Sequence, residues 1–204
     1  MGESSTQARR SPGRPRNPEA ERRILDAAVE EYLERGSAGF TMDGVARRAG
    51  IGKSAVYLRW PDRDALLVES VMARSSSIED VDTGNLRDDL VQLAANLLRF
   101  LTNPLGFATF RIAVDAVANE AYRQVSQELA GRHRNATTRV FERAHARGDA
   151  INDGVVATVV ECLFGAVSMQ VLTAGLDPAL RTDEEILEAC ERIVDLLYPA
   201  LHRP

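Results

Sequence analysis

The sequence predicts an all-α protein, and three observations carry that prediction. Apolar residues recur at helical spacing through nearly all of the 204 residues, and no window sustains the alternation of a half-buried strand. The runs are separated by cap and turn residues, among them Gly36, Thr41, Gly50, Pro61, Asn103-Pro104 and Gly148. Hydrophobic residues make up 45% of the chain, enough to bury a real core in one or two domains and too much for a disordered chain.

Residues 1–17, rich in Gly, Ser, Pro and Arg, read as a flexible basic arm. A first domain is expected over 18–78. Asn17 as N-cap and Pro18 at the first helical position open its first helix, with Glu19 and Glu21 near the positive end of the helix dipole. Ile24, Leu25, Ala28 and Tyr32 form the buried face, and Gly36 closes it. Thr41 caps a second helix in which Val45, Ala46 and Ala49 share a face, and Gly50 ends it in a left-handed position. Gly44, inside this helix, costs about 1 kcal/mol against alanine. Ile51 plugs the corner, Gly52 stands at the N-cap of a third helix, and Val56 and Trp60 lie four residues apart on one face. Residues 41–60 thus have the outline of a helix-turn-helix. Pro61 and Asp62 open a fourth helix, with Arg63 in its first turn.

A turn-rich acidic stretch from Ser75 to Asn85 joins this domain to a second, expected over 79–204. Leu86, Leu90, Leu93, Leu97 and Leu101 mark an amphipathic helix that stops at Asn103-Pro104. A shorter helix over 105–118 carries Phe107, Phe110, Val114 and Val117, and a long, more polar one over 121–147 ends at Gly148. An apolar helix over 153–174, a break at 175–178, and a last helix over 183–201 complete the chain. The apolar helix is long enough to cross a bilayer, but Glu161, Ser168 and Gln170 suit lipid poorly and no aromatic or basic anchors flank it. A helix apolar all round is equally that of a subunit interface, so no membrane association is expected.

The net charge of −5 conceals a division. Residues 1–74 hold 13 Lys+Arg against 11 Asp+Glu, whereas residues 75–204 hold 12 against 19. Basic charge concentrates in the arm and on the helix-turn-helix, and local fields attract phosphate whatever the total. The third helix leaves Lys53, Ser54, Tyr57 and Arg59 pointing outward, a set suited to phosphates and guanine edges. Tyr57 either stacks on sugar and donates to phosphate or is a core aromatic. Arg59 either pairs with guanine or holds a phosphate or an acidic neighbour. No enzyme is expected: His133, His145 and His202 have no metal spacing, and no Ser or Cys lies in a nucleophile motif. No metal or cofactor is implied. Cys162 and Cys190 read as buried free thiols in a reducing cytoplasm, and the arm lacks the apolar run of a signal peptide.

From Glu21 to Leu67 the chain resembles the DNA-binding domain of TetR/AcrR-type transcriptional repressors. The resemblance rests on RRILDAAVEEYLERG, FTMDGVARRAGIGKSAVYLRW and PDRDALL in succession, about a quarter of the chain; the remainder agrees only as an all-helical pattern. It implies a homodimer that reads a palindromic double-stranded DNA operator through its N-terminal domain. Its C-terminal helices would dimerise and hold a small apolar or amphipathic effector that releases the operator. The alternative is a DNA-binding dimer whose second domain only dimerises. Within the family's pattern Arg63 clamps a phosphate, and the Thr41 hydroxyl meets one besides capping its helix. Phe107, Phe110, Val114, Phe141, Cys162 and Met169 are the candidate effector residues or else plain core, with Arg111 as a polar anchor or else paired with Asp115. Two positions depart from the pattern. Gly52 replaces the usual serine, a tolerable N-cap, and Leu58 either packs on the second helix or meets a thymine methyl. Pro12-Gly13-Arg14-Pro15-Arg16 resembles the core of an AT-hook, in which Arg14 and Arg16 enter a narrow minor groove; the alternative is a solvated basic tail.

Overall fold

The structure, a computed structural model, describes residues 18–74, 80–174 and 182–202. The expected arm with Arg14 and Arg16, the Asn17 cap and the break at 175–178 lie outside the described residues. Every regular element described is helical.

The first helix, α1 (Pro18–Gly39), breaks its helical geometry at Gly36, with φ 68° and ψ 178°, and runs on for one further turn. A side chain there would be strained by the backbone conformation itself, which glycine alone adopts readily, and the Arg111 guanidinium, 2.9 Å from where a Cβ would stand, would also have to move. In α2 (Met42–Ala49) Thr41 accepts from the Gly44 N–H at 3.1 Å, and Gly50 at φ 64° donates back to the last turn. The third helix, α3 (Lys53–Tyr57), is shorter than its sequence pattern suggests. Gly52 offers no side chain to cap it, and after Tyr57 the chain passes through Leu58, still at helical φ and ψ, into a turn. Trp60 nevertheless enters the core, because its N–H still bonds the Val56 carbonyl at 3.1 Å. Asp62 caps α4 (Arg63–Met72) by accepting from Ala65 N–H at 2.8 Å.

Gly44 sits in α2 for a steric reason. A Cβ there would overlap the Glu31 carboxylate, standing 2.7 Å from its carboxyl carbon, and Glu31 is a buried group paired with Arg48 at 3.0 Å. Gly44→Ala should therefore lose about 1 to 3 kcal/mol instead of gaining the usual helix propensity, since a buried, paired carboxylate has to move. Thermal unfolding should show a midpoint lower by several degrees; a raised midpoint would contradict the packing described.

The remaining helices are α5 (Leu86–Thr102), α6 (Pro104–Asp115), α7 (Glu120–Arg147), α8 (Asp153–Ala174) and α9 (Asp183–Leu197), followed by a 3₁₀ turn at Tyr198–His202. Asn85, Asn103 and Asn119 cap α5, α6 and α7 through their side chains, and Thr182 and Glu185 form a reciprocal capping box on α9. α5 packs against α6, α7, α8 and α9. Two hydrophobic cores result. The first gathers α1 to α4 together with Ala108 and Ile112 of α6, Ala116 at its end, and Tyr122, Val125 and Leu129 of α7. The second joins α5, the later part of α7, α8 and α9. α6 and α7 therefore serve both.

In α8, Val159, Leu163, Val167 and Val171 turn into the second core. Cys162, Gly165, Met169 and Leu172 lie on its exposed side. Cys162 is thus not a buried thiol, whereas Cys190 is. Residues Asp153–Thr173 are long and apolar enough to cross a membrane by length and composition, and within that stretch only Val159, Leu163, Val167 and Val171 are buried within the chain.

Candidate nucleic-acid interface and effector cavity

The corner of α2 and α3 presents Thr41, Lys53, Ser54, Tyr57 and Leu58 to solvent. Tyr57 is 54% exposed, so it is not a core aromatic, and Leu58 is 86% exposed, so it does not pack on α2. Asp43, in the first turn of α2, gathers two of these side chains. It pairs with Lys53 Nζ and accepts from the Tyr57 hydroxyl at 3.2 Å. The Lys53 hydrogen bond holds the Asp43 carboxyl below its ordinary range, and the bond to Asp43 pushes the Tyr57 phenol up. The sequence reading passed over Asp43, although its place in the first turn of α2, just ahead of the basic α3, was a usable signal.

The two arginines both have partners within the chain. Arg59 lies beyond the end of α3, in the turn that buries Trp60, and this turn carries it back to Glu21 of α1 at 3.7 Å. Of the three partners considered for it, the acidic neighbour is the one it meets. Arg63 donates from Nη1 to the carbonyls of Ser37 and Phe40, at 3.2 and 3.1 Å, and so ties down the connection between α1 and α2. Its Nε lies 3.8 Å from the Asp64 carboxylate.

A cavity of about 850 Å³ lies among α5, α6, α7 and α8, a size suited to a small organic molecule. Phe100, Phe110, Phe141 and Phe164 give it aromatic walls, with His133 and Thr137 among them. The His133 ring meets Phe100 and Phe164 at 6.1 and 6.2 Å. Its Nδ1 faces the Leu129 carbonyl at 3.0 Å and donates to it.

Of the expected effector residues, Phe110 and Phe141 line this cavity and the rest do not. Phe107 packs beside Phe110 at 6.4 Å, in the second core. Arg111 leaves α6 on the opposite side, where it donates to the Leu33 carbonyl at 2.9 Å and stacks over Tyr32 at 5.2 Å. It is therefore an anchor to α1, not a polar contact in the cavity. Val114 is 59% exposed, and Cys162 and Met169 occupy the outer side of α8. Helical periodicity groups residues into faces, but α6 and α8 are apolar on more than one face, so it could not assign the inward one. His133, Phe100, Phe164 and Glu161 were missed. The repeat of 126, 130, 133, 137 and 141 along the polar α7 was the available clue.

α6 separates the cavity from the first core. Thr109, Phe110 and Ala113 face the cavity, while Ala108, Ile112 and Ala116 pack into the first core. Two phenols bind this region to the helix-turn-helix domain: Tyr32 of α1 donates to Asp115 at 2.6 Å, and Tyr122 of α7 donates to Asp64 of α4 at 2.6 Å. Burial, and then the neighbouring carboxylate, pushes both phenols far above their ordinary value, so they remain donors. Among the described residues no group of His, Cys, Asp and Glu is placed to hold a metal ion.

Comparison with known proteins agrees with this architecture. Residues 24–69 match the family described as bacterial regulatory proteins, tetR family, and residues 80–196 match the tetracyclin repressor-like C-terminal domain. The chain is 28% identical over 156 residues to the HTH-type transcriptional regulator AqdR of Rhodococcus erythropolis, covering 76% of this chain and 75% of that protein. A TetR transcriptional regulator from Agrobacterium tumefaciens superposes with a TM-score of 0.67 at 21% identity, over 91% of this chain and 94% of the other. The transcriptional regulator FadR of Bacillus subtilis, solved in complex with stearoyl-CoA, superposes with a TM-score of 0.62 at 16% identity, over 88% and 98%. These relatives are regulators, not enzymes.

Proposed function

The chain belongs to the TetR family of DNA-binding transcriptional regulators, and from that premise we propose that it is a homodimeric repressor released from its operator by a small apolar or amphipathic effector. The observation that carries the proposal is the two-sided position of α6, with the cavity against Phe110 and the first core against Ile112. A guest that displaces Phe110 moves α6, and Arg111 and Asp115 pass the movement to α1 through Leu33 and Tyr32. Two recognition helices must lie about 34 to 36 Å apart to enter successive major grooves, so a small tilt of α1 to α4 suffices to lose the operator. The cavity favours this reading over a second domain that only dimerises, and the FadR complex with stearoyl-CoA is a ligand complex of a protein with the same fold. The exposed apolar side of α8 would be covered by the second copy.

In the DNA complex Lys53 and Tyr57 would exchange Asp43 for phosphate, with Thr41, Ser54 and Arg63 beside them and Leu58 free to reach a thymine methyl. Arg59 would have to leave Glu21 to touch DNA, and Arg14 and Arg16 would extend along the minor groove. The test is fluorescence anisotropy on an operator selected from random duplexes. Lys53→Ala and Tyr57→Ala should each weaken binding on all sequences, and the lost lysine contact should flatten the salt dependence by about one unit of slope. Asp43→Asn should do the reverse and tighten nonspecific binding. Unchanged affinity in both the Lys53 and Tyr57 variants would remove α3 from the interface.

A further inference from the structure

The charged lining of the cavity is unbalanced. One arginine, Arg134, stands against three carboxylates, Glu142, Asp153 and Glu161. Asp153 is already engaged by His145 Nε2 at 3.0 Å. Glu161 and Glu142 form no ion pair among the described residues, and Arg134 reaches neither of them. Glu161 is also the only charged residue of α8 after Asp153, so its appearance on the cavity side of an otherwise apolar helix is specific.

Its level in the cavity follows from two contacts. His145 meets Asp153 and His133 meets Phe164, so α7 and α8 run antiparallel and Glu161 stands opposite residues 136–137. That is about one helical turn from His133 and from Phe141, hence beside the aromatic walls. Glu161 and Glu142 are exposed at the mouth, whereas Phe141 and Leu129 are buried in the floor. A rim carboxylate is content in water. An apolar guest that displaces this water removes its solvation and has to supply the opposite charge, and a guest carrying its own carboxylate meets like charge instead. A cation is favoured twice over, by the carboxylates and by the faces of the phenylalanine rings.

We propose that the cavity is a site for a hydrophobic organic cation, whose apolar body lies among Phe100, Phe110, Phe141 and Phe164 and whose charged nitrogen is held by Glu161 at the mouth. The proposal rests on the reading that the C-terminal helices hold the effector, and it names the chemical class. The test uses the full chain with three probes of equal tail, decyltrimethylammonium, decanol and decanoate, each kept below micelle-forming concentration. Thermal shift, calorimetry and operator release are read for each. Decyltrimethylammonium should bind about tenfold more tightly than decanol and release the operator, with decanoate the weakest. Glu161→Gln should remove about that tenfold advantage while leaving decanol unchanged. Decanoate binding as well as the cation, or a Glu161→Gln variant that weakens cation and alcohol alike, overturns the charge assignment alone. No binding by any of the three probes overturns the effector reading and the proposal with it.

Discussion

Alanine at Gly106 is expected to cost more stability than alanine at any other glycine among the described residues. Gly106 is the third residue of α6, and its N–H donates to the capping Asn103 side chain at 2.8 Å. A Cβ there would run into the backbone of α5, standing 2.5 Å from the carbonyl carbon of Phe100 and 3.0 Å from the root of its ring. Unlike the end of a flexible side chain, this carbonyl cannot swing away, because it accepts the Asn103 N–H at 3.1 Å and fixes the corner between the helices. The corner must open, and α6 carries both a wall of the cavity and part of the first core. Overpacking commonly costs 1 to 3 kcal/mol, and a backbone obstacle puts Gly106→Ala at about 3 kcal/mol or more. A chain of this size loses about 2 to 4 °C per kcal/mol, so calorimetry should find a midpoint lower by about 6 to 12 °C. Gly131→Ala is the control. It lies within α7 with only the tip of Arg134 nearby, at 3.7 Å, and should hold or raise the midpoint. Equal midpoints for the two variants would mean that α5 and α6 do not meet as closely as described.

The sequence marked the ends of most helices because their stop and start signals are local. Thr41, Asp62, Asn85 and Asn103 each satisfy a nearby N–H with their own side chain, and Gly50 and Gly148 adopt positive φ. No tertiary knowledge is needed to read these. The length of α3 was less legible, since Val56 and Trp60 share a face whether the intervening residues form a full helix or a turn that keeps the helical hydrogen bond from Trp60 to Val56. With that turn went the expected outward projection of Arg59. The outward set was otherwise legible, because Lys53, Ser54 and Tyr57 lie off the buried face of a short amphipathic segment. The cavity was read only in part. Phe110 and Phe141 were within reach, yet Cys162 and Met169 share with Val167 the same apolar helix, and only packing against α5 and α9 decides which side turns inward. The one signal in α8 that does not depend on packing was its solitary carboxylate, Glu161.

Glutamate at Met169 is expected to convert the proposed dimer into folded monomers and so to abolish tight operator binding. Met169 is 56% exposed in the isolated chain, on the same side of α8 as Cys162 and Leu172, so a charge there costs the single subunit little. If a second copy covers this side, two-fold symmetry buries the new carboxylate twice. Each unpaired charge costs about 3 kcal/mol or more, and the pair lowers dimer affinity by about four orders of magnitude. Val167, which the apolar pattern alone would place equally well at the interface, is fully buried among the residues of its own subunit. Val167→Glu should therefore unfold the chain, whereas Met169→Glu should keep its helical circular dichroism and cooperative melting. Sedimentation velocity separates these outcomes, and anisotropy on a full palindrome and on a half-site reads the consequence. A monomer can occupy only one half-site, so Met169→Glu should lose the preference for the palindrome while keeping the half-site affinity. A wild-type chain that sediments as a monomer, or a Met169→Glu variant that remains dimeric, would move the subunit interface away from α8 and leave its apolar side to be covered in another way.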